Sequence, residues 1–281
     1  MPTISRHLRS LVSLLFSMIA FSSIASTRLL AQEDHDHHDA DHHGEEPVHF
    51  SHPIFTESPS PDTKVRVDYL HASLAHDVAD HELRIEGEYA FSHSISIEAN
   101  LPLTSRSRNG VRTTAVGSGE IALKLASFAA APHGLLLGGG LAFGLPGWND
   151  NSDIASDHIV EVEPYLDFGY MRGRTEIVSF ASYSVAAHRT DADEEEQEIA
   201  VAASLLYHLD RSFESLIEFE TRRSIAGEES GAQIVNGAVG LKYRFPAMPS
   251  LIVGAAGRVP LTDDHEFRSE MTVSLFYHFH D

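Results

Sequence analysis

Apolar and polar residues alternate with a period of two along most of this chain, which predicts an all-β fold. Strand length and connection length narrow it to a transmembrane antiparallel up-and-down β-barrel of about twelve strands. The alternating segments run about 9–13 residues, enough to cross a bilayer at a tilt, against about 5–6 in soluble sheets. Short connections fall near Ser92-His93-Ser94, Ala131-Pro132-His133, Met171-Arg172-Gly173, Asp210-Arg211-Ser212 and Pro246-Ala247-Met248-Pro249. Mostly longer ones lie between them, at 73–81, 104–117, 146–157, 188–197 and 224–232. Short periplasmic turns and longer outer loops are the barrel pattern. Phe91, Phe128, Tyr170, Tyr207, Phe213, Phe245 and Phe279 flank the short turns, where an interfacial girdle belongs.

The elements ahead of the barrel come first in the chain. Arg6 and Arg9 precede an apolar stretch from Leu11 to Ala25 and then small residues, the layout of an export signal over residues 1–31. That stretch is shorter than the roughly 20 residues of a helical span, and no other candidate follows it. A formal charge of −21, from 20 basic and 41 acidic residues, excludes nucleic acid as a partner. The count of cysteines is 0, which excludes disulfides and thiolate metal sites. Histidine is the anomaly, at 19 residues.

Residues 32–61 have no apolar period and are expected to form a disordered His/Asp-rich arm in the periplasm. His35, His37, His38, His42, His43, His49 and His52 interleave there with Asp and Glu. Neutral imidazole and carboxylate suit Zn²⁺, Ni²⁺ or Cu²⁺. The ordering entropy of a disordered chain keeps such binding weak, and the same composition also suits a plain solvated tether.

The barrel is expected over residues 62–281. Val65, Val67 and Tyr69 begin the alternation, and Met271, Val273, Leu275, Tyr277 and Phe279 end it on a strand read over Glu266–Phe279. That closing strand is expected to pair with Lys64–His71. The stretch from Thr175 to Ala187 shows no clear pair of faces. A basic side chain turned to lipid at mid-bilayer costs roughly 2–4 kcal/mol, so the charged face is the inner one. The expected lumen residues are Arg84, Glu86, Glu88, Glu98, Lys124, Glu161, Glu163, Asp167, Glu218, Glu220, Lys242, Arg244 and Arg258. Gly138, Gly140, Ala142, Gly144, Gly254 and Ala256 share that face and open space on their part of the wall.

The run Gly117-Ser118-Gly119-Glu120-Ile121-Ala122-Leu123-Lys124 resembles the Gly-x-Gly-Asp strand opening of the outer-membrane transporter family called MetA-pathway of phenol degradation. Leu141-Ala142-Phe143-Gly144-Leu145-Pro146-Gly147 resembles that family's Leu-Pro-Thr-Gly strand exit, and Gly257-Arg258-Val259-Pro260-Leu261-Thr262 its approach to the last strand. Glu120 stands where the family has Asp. The resemblance implies a porin-like barrel that admits small molecules, with hydrophobic compounds as one candidate class, and leaves the solute open, because a fold does not fix a function.

The function expected is a Gram-negative outer-membrane channel allowing passive passage of a small solute, with no cofactor beyond ions held by the arm. Its partners are outer-membrane lipid, lipopolysaccharide, the barrel-assembly machinery and the solute. The rival readings are a structural or plugged barrel whose arm binds metal, and an outer-membrane hydrolase. Against the hydrolase, the chain has no Gly-x-Ser-x-Gly, no His-Glu-x-x-His and no phosphate loop.

Overall fold

The structure, a computed structural model, describes residues 49–75, 78–130, 133–146, 159–188, 195–227 and 230–279. The expected export signal and His35, His37, His38, His42 and His43 lie outside the described residues. The strands are β1 (Lys64–Ser73), β2 (Val78–Ser92), β3 (Ile95–Arg108), β4 (Val111–Val116), β5 (Glu120–Ala130), β6 (Leu135–Gly144) and β7 (Ile159–Arg172). They continue with β8 (Thr175–His188), β9 (Glu195–His208), β10 (Phe213–Ala226), β11 (Gln233–Phe245), β12 (Met248–Pro260) and β13 (Ser269–His278). Consecutive strands pair antiparallel, save that β5 pairs with β3 rather than β4, and β1 pairs with β13 from Lys64↔His278 to Ser73↔Ser269. The ring therefore closes through the first and last strands, as the alternation of the closing segment implies. Closure leaves the twelve strands of the ring no free edge, the condition for a β-structure in lipid; only β4, which pairs with β3 alone, keeps one.

Twelve staves form the ring, with one extra strand, because β4 and β5 share a partner. The first half of β3 pairs with β5 and its second half with β4. The break between them is Gly117-Ser118-Gly119. There the Gly117 N–H donates to the Pro102 carbonyl at 2.9 Å, and a Cβ on Gly119 would lie 3.0 Å from the Asn100 oxygen. The stretch 104–117, expected as a loop, is instead a hairpin turning at Asn109 and Gly110, with φ of 52° and 79°. Two residues of positive φ make the tight turn that matches strand twist. The stretch reads as a connection because it carries no alternating apolar face, and a strand beyond the bilayer needs none. The closing strand is also shorter than expected. Glu266–Arg268 precede it, and Phe267 is buried against Arg258, whose guanidinium carbon lies 4.7 Å from its ring centroid.

The outward residues are apolar and exposed, including Val65, Tyr69, Leu123, Leu166, Leu205, Val239, Leu241, Val273 and Leu275. An apolar band encircling a closed sheet is a lipid-facing surface. Aromatic rings gather at its short-turn rim: Tyr89 with Phe91, Phe213 with Tyr243, Tyr243 with Phe245, and Tyr277 with Phe279, at 4.8–5.1 Å between centroids. In β8 the inner side carries Glu176, Val178, Ser182, Ser184 and Ala186.

Candidate functional site: the occupied lumen

The barrel core is built around a segment that has no periodicity at all. Residues 49–61, expected as the end of a disordered arm, lie inside the barrel at its short-turn end, just ahead of β1. Phe50 is 0% exposed and Ile54 3%, packed with Leu136, Val178, Leu206, Leu216 and Ala256 of the wall. Burying two such side chains contributes about 3–6 kcal/mol. The wall is shaped for them. A Cβ on Gly169 would lie 2.7 Å from the Phe50 ring, and one on Gly254 would lie 3.1 Å from Ile54 Cδ1.

Polar contacts fix the plug in register. The backbone N–H groups of Ile54, Phe55 and Thr56 donate to the Glu218 carboxylate at 2.9, 3.1 and 2.9 Å. Ser204 Oγ donates to the same carboxylate at 2.7 Å. Ser51 donates through its N–H to Glu176 at 2.9 Å and through its hydroxyl to Glu214 at 2.9 Å. Lys242 Nζ donates to the His52 carbonyl and to Glu214, both at 2.8 Å. Arg66 donates to the Ile54 carbonyl, and Lys124 pairs with Glu57. These groups answer backbone polarity that a non-regular segment inside a barrel would otherwise leave unsatisfied.

Behind the plug lies a buried ion network. Lys64 Nζ is 2.6 Å from Glu88, 3.2 Å from Glu86 and 3.8 Å from Glu98. Lys124 Nζ is 3.4 Å from Glu88 and 3.7 Å from Glu98. Arg66 Nε donates to Asp68 at 2.9 Å. Removing one member of such a network strands the others in a dry site, at about 3–5 kcal/mol.

Beyond the plug, towards the long loops, the lumen widens. A cavity of about 480 Å³ is lined by Leu70, Asp80, Glu82, Arg106, Arg258 and Glu270 among others. Arg84 pairs with Glu82 at 2.7 Å, and Arg258 bridges Glu220 at 2.9 Å and Glu270 at 2.8 Å. Glu120, Glu161, Glu163 and Glu198 lie on the inner faces of β5, β7 and β9; among the described residues no Lys or Arg pairs with them within 4.0 Å. Asp167 is buried on the same wall, and its carboxylate finds no donor among the described residues.

Of the charged residues singled out in the sequence, Glu86, Glu88, Glu98, Lys124, Asp167, Glu218 and Lys242 are buried inside. Arg84, Glu161, Glu163, Glu220 and Arg258 are partly buried on the inner wall. Arg244 is exposed at the short-turn rim rather than deep in the lumen, its Nη1 donating to the Pro249 carbonyl at 3.1 Å. Sequence reasoning missed Lys64, Glu57 and Glu176, and read Arg66, Asp68 and Glu214 on the polar face of their strands without counting them among the lumen residues. It also missed the plug, although a signal was present. Leu135-Leu136-Leu137, Ile177-Val178, Leu205-Leu206, Leu216-Ile217 and Leu275-Phe276-Tyr277 interrupt strict alternation, all near the short-turn end. An apolar residue on the inner face there needs an apolar partner in the lumen.

The short-turn mouth gathers His49, His52, Asp62 and His278. Asp62 Oδ2 lies 3.3 Å from His49 Nε2, 3.3 Å from His52 Nε2 and 2.5 Å from His278 Nδ1. Burial alone would raise the Asp62 carboxyl, but hydrogen bonds from His278, His49 and His52 outweigh it and hold it well below the usual carboxylate range. Burial, with Lys64 beside it, pushes the His52 imidazole well below its ordinary value, so this ring is neutral.

No protein-family model and no curated protein matches the chain by sequence. Solved structures do match by fold. The COG4313 outer membrane channel from Pseudomonas putida F1 aligns with a TM-score of 0.61 at 15% identity, covering 82% of this chain and 100% of that one. The NanC porin aligns at 0.52 and 12% identity, covering 78% of this chain and 100% of that one. The KdgM porin, solved in complex with disordered oligogalacturonate, aligns at 0.51 and 11% identity, covering 76% and 99%. The chain has the fold of an outer-membrane porin-type barrel.

Proposed function

We propose that the chain is an outer-membrane channel for a small solute, held shut at its periplasmic mouth by residues 49–61. The observation that carries this reading is a charged lumen blocked by a segment with few apolar anchors and many reversible hydrogen bonds. The short turns face the periplasm, as in other barrels of this kind, so the plug and the His-rich arm lie on that side. The histidines of the arm suit Zn²⁺, Ni²⁺ or Cu²⁺. Lipid and lipopolysaccharide surround the barrel, and the assembly machinery inserts it.

Glu120, Glu161, Glu163 and Glu198 set the selectivity. Uncompensated carboxylates on a narrow low-dielectric wall favour cationic or neutral solutes over anions. The resemblance to the phenol-degradation transporters supports small solutes of low polarity as the neutral class. Planar-bilayer recordings in a salt gradient test both parts. The chain should give cation-selective openings, and Glu161→Gln with Glu163→Gln should move the reversal potential towards zero. Anion selectivity, or a barrel silent even without its plug, would overturn the reading.

A further inference from the structure

The four residues at the short-turn mouth come from three separate places in the chain. His49 and His52 belong to the plug, Asp62 to the approach to β1, and His278 to the end of β13. Their ring nitrogens converge on one carboxylate oxygen. Three imidazoles directed at a single oxygen oversubscribe it as an acceptor, since an oxygen offers two lone pairs. With the Asp62 carboxylate turned to the edge of the group, the same four side chains face one cation. The candidate ligand atoms of His49, His52 and Asp62 all lie within 4.8 Å of one another.

We propose that His49, His52, Asp62 and His278 bind one divalent transition-metal ion, of which Zn²⁺ is the probe, and that this ion latches the plug to the barrel wall. Three neutral imidazoles and a carboxylate supply the four ligands of a tetrahedral zinc site. When His52 ligates through Nε2 its single proton moves to Nδ1. Lys64, 3.3 Å from that nitrogen, keeps Glu88 at 2.6 Å and Glu86 at 3.2 Å as partners. The ion has a way in, because the His49 side chain is 51% exposed and a cavity of about 190 Å³ lies beside the cluster.

Two other groups of ligating side chains in the lumen are already answered. Glu176, His208 and Glu214 are engaged with one another, with Ser51 and with Lys242. Glu57, Glu88 and Glu98 surround Lys124. The mouth cluster differs in carrying three imidazoles and a single carboxylate, with its one neighbouring lysine, Lys64, already paired with Glu88 and Glu86.

The latch deepens the plugged-channel reading and rests on it, whereas the site itself does not. The test uses the full chain in detergent with His35, His37, His38, His42 and His43 changed to Ser, so that the arm is silent. Titration calorimetry with Zn²⁺ should show one equivalent bound. Co²⁺ in its place should give the intense visible bands of a tetrahedral site. His278→Ala, and separately His49→Ala on the exposed ligand, should each weaken binding by at least about the tenfold that loss of an outer-shell partner produces. No saturable binding, or binding indifferent to both substitutions, would overturn the proposal. His49 is exposed, so its variant keeps the test valid if His278→Ala assembles poorly. Zn²⁺ should lower single-channel current and a chelator restore it. If one equivalent binds but no condition ever gives current, the site stands and the channel reading fails.

Discussion

Glu218 is the residue whose loss should most directly release the plug. Its carboxylate, 2% exposed, accepts the N–H groups of Ile54, Phe55 and Thr56 as well as the Ser204 hydroxyl. Glu218→Ala leaves three backbone donors unsatisfied in a site the docked plug keeps dry. Each orphaned donor costs about 1–3 kcal/mol, so the docked state should lose at least about 3 kcal/mol. That corresponds to an increase on the order of a hundredfold in the undocked population. The barrel hydrogen bonds of β10 are made by backbone and are untouched. The chain has 0 cysteines, so Ser58→Cys, at a site 1% exposed, provides a unique thiol. Its labelling by a water-soluble maleimide reports undocking. The Glu218→Ala background should accelerate labelling by on the order of a hundredfold, with unchanged heat-modifiable migration of the barrel. A rate within about twofold of the parent would refute the idea that this carboxylate holds the plug.

Other perturbations address the wall, the network and the lipid face. Gly169→Ala puts a Cβ 2.7 Å from the Phe50 ring, so it should raise Ser58→Cys labelling while leaving assembly intact. Lys64→Met leaves Glu86 and Glu88 without their nearest cation and Glu98 without one of its two, and should destabilise the barrel by about 3–5 kcal/mol in urea unfolding. Leu123→Arg and Val239→Arg place a charge on the lipid face at roughly 2–4 kcal/mol each and should slow assembly into vesicles, followed by band shift. Ala122→Arg, buried on the inner wall, should alter conductance instead.

The staves of the barrel were legible because lipid enforces a rule on every second residue. Val65, Val67 and Tyr69 against Arg66 and Asp68 already state the two faces of β1, and the matching pattern in β13 names its partner. The rule lapses where lipid ends. The hairpin of β3 and β4 reads as a loop from Arg106 to Arg112 because outside the bilayer neither face need be apolar. It lapses again inside, where the plug has no ladder to impose a period. Phe50 and Ile54 are two apolar residues among Ser, Pro and His, a composition that is also that of a disordered tether. What places them inside is the wall: the second leucine of Leu205-Leu206, the first residue of Leu216-Ile217, and the missing side chain at Gly169. The mouth cluster was half visible. His49 and His52 stood out by composition, while His278 joins them and Asp62 only through closure of the ring, which brings the first and last strands together.

The central claim is that residues 49–61 block a channel and must move for solute to pass. Cysteines at Ile54 and Gly254, in a chain otherwise free of them, test it most directly, since a Cβ at Gly254 lies 3.1 Å from Ile54 Cδ1. Single-channel current should vanish when this pair is oxidised and return on reduction. Equal current in the two states would contradict the account.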